Sequence, residues 1–145
     1  MALTYFDSSA LMKLVIDEPG SDEARALWDG SDARLASRLA HPEVRAAMAA
    51  LRRNHQLDDD GLLVAEEVWS GFWDDVRPVE LTEDVGTRAG DLAGVHSLRG
   101  ADAVHLASAL ALGPEVIVAV WDRRLQRACR AEGLAVLPAV IPLRT

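Results

Sequence analysis

Five short apolar runs, separated by stretches of helical periodicity, constrain this chain more than any other feature. ALTYF at 2–6, Ala33 to Ala36, VRPVEL at 76–81, VIVAV at 116–120 and LAVLP near the end have the length and apolar content of strands. Between them apolar residues recur every three or four positions, as on an amphipathic helix. Helices are expected from Ser9, read as an N-cap, to about Asp17, and from Ser21 through Trp28. Others should run from Ser37 or His41 to about Asn54, from HQLDDDG through Trp73, and from Thr82 to about Leu98. The last two cover Ala101 to Leu112 and Arg123 to Glu132. Strands that alternate with helices in this way form a mostly parallel sheet, wrapped on both faces by right-handed crossovers. Residues 1–145 are read as one α/β domain with five strands.

Composition narrows the function. Half of the residues are hydrophobic, enough for a core in a chain of this length. No apolar run is long enough for a membrane span, and the N-terminus lacks the pattern of a secretory signal, so a cytoplasmic protein without membrane contact is expected. The single cysteine, Cys129, cannot form an internal disulfide, and no Cys/His spacing suggests zinc. The net charge of -8 argues against nucleic acid as a partner unless several acids are gathered around cations. Lys13 is the only lysine, so the positive charge is nearly all arginine, which grips phosphate with a planar fork.

The placement of four acids supplies that condition. In open parallel sheets ligands bind beyond the carboxyl ends of the strands. Asp7 follows such a strand directly, Asp122 stands just past VIVAVW, Glu43 lies in the first turns of HPEVRAAMAAL, and Asp102 opens GADAVHLASAL. Taken singly, each reads as a cap, a turn former or a first-turn helical acid. Taken together, all four belong on one edge of the sheet. Two carboxylates about 4 Å apart repel by roughly 4 kcal/mol at an effective dielectric near 20, so such a cluster must take up protons or bind a cation. Oxygen-only ligands select Mg2+ or Mn2+, and a magnesium ion with open positions suits phosphate chemistry. The run Asp58-Asp59-Asp60-Gly61 lacks the alternation and the twelfth-position glutamate of a calcium loop, since Trp69 stands there, and is read as a cap and turn.

DSSAL at 7–11, HPEVRAAMAAL, LRGADAVHLASAL at 98–110 and VWDRRL at 120–125 stand in this order along essentially the whole chain. In these motifs the sequence resembles the PIN-domain ribonucleases, in particular the VapC-type toxins of bacterial toxin-antitoxin pairs. The resemblance implies a PIN-like α/β/α sandwich. It implies Asp7 and Asp102 as principal ligands of Mg2+, with Mn2+ as a substitute, and Glu43 and Asp122 as the remaining acids of the catalytic cluster. Ser8 and Ser9 fall where the family has hydroxyl residues that orient the first aspartate. The family often has Thr or Ser two residues before the last acid; Val120 stands there, so that hydroxyl is missing beside Asp122. The implied activity is endoribonuclease hydrolysis by metal-activated water, which leaves 5'-phosphate and 3'-hydroxyl ends. The implied partners are RNA, a VapB-type antitoxin and a second copy of the chain in a homodimer.

Arg99 and Arg123 are the expected substrate contacts, and Arg124, Arg127, Arg130, Arg45, Arg52 and Arg53 are further candidates for steering phosphates. His105, in a core-like helix, is read as a core histidine, His41 as a helix-start residue, and Trp69, Phe72 and Trp73 as core. A phosphoacceptor receiver domain is disfavoured because it needs a late lysine, and a haloacid-dehalogenase-like phosphatase because Ser9 stands where a second aspartate belongs. A catalytically silent PIN fold acting as a binding or regulatory module is the remaining alternative.

Overall fold

The computed structural model describes residues 2–142. Its strands are β1 (Leu3–Phe6), β2 (Ala33–Ser37), β3 (Arg77–Val79), β4 (Ile117–Ala119) and β5 (Ala135–Leu137). Its helices are α1 (Ser8–Val15), α2 (Ser21–Asp29), α3 (Ala40–Arg53), α4 (Asp59–Asp74), α5 (Glu83–His96), α6 (Gly100–Leu110) and α7 (Arg123–Ala131). The five strands form one sheet in the order β3-β2-β1-β4-β5, and every pairing is parallel. This is the three-layer α/β/α architecture expected from the alternation of strands and helices.

Side-chain alternation sorts the core into two halves. Tyr5, Val118 and Val120 face one way and pack with Leu92, Leu106 and Leu125 of α5, α6 and α7. Phe6 and Ala119 face the other way, onto Leu11, Leu14, Trp28, Val44, Met48 and Trp69 of α1 to α4. Each large apolar side chain buried in this way contributes about 1.5–3 kcal/mol. Burial on both faces explains why the central strands read as unbroken apolar runs.

Two local expectations are corrected. The N-cap of α1 is Asp7, not Ser9: Asp7 has extended backbone, with φ -77 and ψ 175, and its side chain accepts from Ala10 N–H. β1 passes into α1 through that one residue, so Ser8 and Ser9 already lie in the first turn. The cap read in Asp58-Asp59-Asp60-Gly61 is present as Asp58, but the turn ends there: Asp59, Asp60 and Gly61 are already the first turn of α4. Gly20, in the turn that opens α2, has φ +94, and a Cβ there would fall 2.7 Å from Trp121 Nε1.

The strand order places the site. From β1 the chain steps outward to β2 and β3, then returns to lay β4 on the other side of β1. The direction of winding therefore reverses between β1 and β4, and such a reversal leaves a crevice at the carboxyl ends of the two strands. Asp7 follows β1 and Asp122 follows β4 closely, so both acids stand at that crevice.

Candidate active site

Asp7 is only 3% exposed, the most deeply buried acid of the chain's crevice. Its Oδ1 accepts from Ser9 Oγ at 2.6 Å and from Ala10 N–H at 2.9 Å. Ser9 Oγ in turn accepts from Trp121 N–H at 3.2 Å, and Asp7 N–H donates to the Ala119 carbonyl at 3.3 Å. The two strand ends are thus tied together around the carboxylate. Burial pushes the Asp7 pKa up to about 6, reinforced by the charge of Asp122 and opposed by His105, Ser9 and Ala10.

Asp122 is the N-cap of α7, its Oδ1 accepting from Leu125 N–H at 2.8 Å. Asp102 lies in the first turn of α6. Its pKa is also raised, first by burial, then by the charges of Asp122 and Glu43, against the opposing pull of Arg99 and His105. Glu43 lies in the first turn of α3, and its Oε1 meets His105 Nε2 at 2.6 Å. The four acids come from four elements, and their charges act on one another across a single edge of the sheet.

Tyr5 and His105 belong to this site although the sequence reading left both in the core. His105 is 1% exposed and bridges Glu43 to Tyr5, whose Oη lies 2.6 Å from Nδ1. Burial works against the charged imidazolium. The hydrogen bond to Glu43 and the charges of Asp7, Glu43 and Asp102 outweigh it, so the His105 pKa is raised. A signal was present: His105 follows Asp102 by three positions, which places both on one side of α6.

The donor chemistry of this edge fits the divalent ion that the family resemblance implies. The acids offer oxygen only, and two are driven toward protonation by burial and like charge, a cost that a cation removes. Asp7, Asp122 and Glu43 each have one oxygen anchored by a hydrogen bond, and the other has no such partner among the described residues. Among the described residues no group of three or more His, Cys, Asp or Glu side chains is arranged to hold a metal ion.

The arginines divide into used and open ones. Arg45 pairs with Glu66 at 3.2 Å, Arg52 with Asp59 at 2.5 Å, and Arg38 with Glu80 at 2.5 Å. Arg123 Nη2 donates to the Ile141 carbonyl at 2.8 Å, and Arg130 donates to that of Ala139. Arg99 caps α6 with its side chain 82% exposed and its Nε 3.7 Å from Asp102. Arg124 and Arg127 have no acidic partner among the described residues and line a cleft of about 360 Å³ with His96 and Ser97. Of the aromatic stripe Trp69 is core as expected, 1% exposed, whereas Phe72, edge-on to Trp28, and Trp73 are half-buried against that core. His41 lies in the first turn of α3, its ring tilted against Trp69 and edge-on to Trp73. Among the described residues no helix is long and apolar enough to cross a membrane.

Comparison with known proteins agrees with this architecture. The family model described as PIN domain matches residues 4–131. Ribonuclease VapC45 of Mycobacterium tuberculosis (strain CDC 1551 / Oshkosh) is 60% identical over 140 residues, which is 96% of this chain and 97% of that protein. Ribonuclease VapC49 of strain ATCC 25618 / H37Rv gives the same figures. The crystal structure of VapBC2 from Rickettsia felis bound to a DNA fragment from their promoter aligns with a TM-score of 0.64 at 9% identity, covering 92% of this chain and 96% of that one. That likeness is one of fold. With the family match spanning most of its length and VapC relatives at this identity, the chain belongs to the PIN domain family, in its VapC-type branch.

Proposed function

We infer that the protein is a divalent-cation-dependent endoribonuclease, the toxin of a toxin-antitoxin pair, which hydrolyses RNA phosphodiester bonds. What supports this reading is that Asp7 and Asp122 stand beyond the carboxyl ends of β1 and β4, where the charge of Asp122 acts on Asp7 and those of Asp122 and Glu43 act on Asp102. The ribonuclease names of VapC45 and VapC49 support the choice of RNA. These four acids would hold Mg2+ or Mn2+. When bound, the ion supplies positive charge against the phosphodiester and lowers the pKa of a neighbouring water.

The chain's own contribution is positioning. Ser9 and the N-terminus of α1 fix one oxygen of Asp7, the N-terminus of α7 fixes one of Asp122, and the second oxygens have no hydrogen-bond partner among the described residues. Water oxygen attacks phosphorus, the bond from phosphorus to the 3'-oxygen breaks, and that oxygen leaves with a proton. The products carry 5'-phosphate and 3'-hydroxyl ends. Arg99, beside Asp102, and the pair Arg124 and Arg127, which have no acidic partner among the described residues, would take backbone phosphates. Arg123, tethered to Ile141, retains only part of its fork for the same task. A VapB-type antitoxin, a homodimer and a cytoplasmic setting follow from the VapC-type resemblance, and the VapBC2 neighbour supports the first of these.

The test is RNA cleavage by purified protein in Mg2+, in chelator, and with Asp7→Asn. Cleavage should need the ion, fall by at least about 100-fold in the variant, and leave 5'-phosphate ends. Cyclic 2',3'-phosphate ends, or cleavage that survives both chelator and substitution, would overturn the reading.

A further inference from the structure

Glu43 and His105 approach each other from opposite layers of the sandwich. The neighbours of Glu43 on α3, Val44 and Met48, pack on the Phe6 face, whereas Ala103 and Leu106 of α6 pack on the Tyr5 face. The contact at 2.6 Å between His105 Nε2 and Glu43 Oε1 therefore joins the two layers at the crevice itself. Behind it stands a chain of buried groups. Ser37 N–H donates to Tyr5 Oη at 3.2 Å, and the Tyr5 hydroxyl lies 2.6 Å from His105 Nδ1. Ser37 and Tyr5 are fully buried, so neither can turn to water for a substitute.

A carboxylate only accepts, so the bond to Glu43 uses a proton on His105 Nε2, which both the imidazolium and one neutral tautomer carry, and Tyr5 Oη, which accepts from Ser37 N–H, holds the ring at Nδ1. The carboxylate end of the chain uses Oε1 alone, and Glu43 Oε2 has no hydrogen-bond partner among the described residues. A histidine that served only to fill the core had no need to reach an acid at the mouth of the crevice.

We propose that Tyr5 and His105 form a rigid strut that fixes Glu43 by Oε1 and presents Oε2 alone to the crevice, making His105 a positioning residue for that acid. The proposal rests on the reading that the four acids are the working site. Outer partners of this kind orient a carboxylate, and their loss typically costs 10- to 100-fold in metal affinity or activity. Tyr5→Phe removes the anchor of the strut while keeping the ring in the core. His105→Leu removes both hydrogen bonds. His105→Gln keeps an acceptor for Tyr5 and a donor for Glu43.

The experiment measures thermal melting, Mn2+ affinity by electron paramagnetic resonance without RNA, and kcat and KM for RNA cleavage. Folded Tyr5→Phe and His105→Leu should each bind Mn2+ about 10-fold more weakly, with kcat reduced and KM nearly unchanged, and His105→Gln should recover most of the loss. Wild-type Mn2+ affinity and kcat in folded Tyr5→Phe, or no recovery in folded His105→Gln, would overturn the strut. If His105→Leu does not fold, Tyr5→Phe decides alone. Failure of the wild-type protein to bind Mn2+ would count against the metal-dependent reading instead, and kcat of Tyr5→Phe would then decide the strut.

Discussion

A carboxylate has two oxygens, and three of the four acids of this crevice, Asp7, Glu43 and Asp122, give one to the fold and keep the other. From sequence, capping and ligation looked like rival explanations of Asp7 and Asp122. The structure has both acids capping a helix through Oδ1, which leaves the second oxygen without a hydrogen-bond partner among the described residues. Tyr5 and His105 escaped notice because alternation along a strand says which face a side chain joins, not which side chain it meets there. Asp7 carries the first prediction. Its pKa, pushed up to about 6 from 3.8, means that the folded protein holds the proton more tightly than the unfolded chain. Its contribution to stability is therefore full below about 3.8 and is lost as pH rises through about 6, a loss of about 3 kcal/mol at neutral pH. In metal-free protein Asp7→Asn should raise Tm at pH 7.5, and the gain should vanish near pH 4. Calorimetry that finds the variant less stable at pH 7.5 would contradict this. Added Mg2+ should stabilise the wild type and leave Asp7→Asn unmoved.

At the scale of elements, the order of strands and helices was legible because apolar runs of strand length were bounded by caps and turns: Thr82 caps α5 and Asp58 caps α4. Boundaries moved by a few residues where two capping groups competed, as Ser9 and Asp7 do at α1. Asp122 tests the double use of a cap at the start of α7. Asp122→Asn keeps a capping oxygen and removes the charge, so stability should hold while cleavage falls. Asp122→Ala should lose cleavage to the same degree and about 1 kcal/mol of stability as well. Denaturant melts and cleavage assays on the pair separate the two roles, and equal stability losses in both variants would show that the carboxylate's second oxygen also supports the fold.

For the whole molecule, what could not be read from sequence was the crossover that places β4 beside β1, since composition is silent on strand order. The general rule for parallel sheets nevertheless predicted which edge would collect the acids, and that edge accounts for part of the net charge of -8. The arginines were legible as a group but not one by one: ion pairs occupy Arg45 and Arg52, and carbonyls occupy Arg123 and Arg130. Arg124→Ala and Arg127→Ala should each weaken RNA binding and lower its salt slope by about one, as expected when a single phosphate contact is lost. An unchanged slope in both would remove the cleft between α5 and α7 from the RNA path. The central claim is that acids from four elements converge to hold a hard divalent ion. Its most direct test is anomalous diffraction from crystals soaked in Mn2+. The account predicts a manganese peak bounded by Asp7, Glu43, Asp102 and Asp122, absent in Asp7→Asn; no peak there at a Mn2+ concentration that supports RNA cleavage would contradict it.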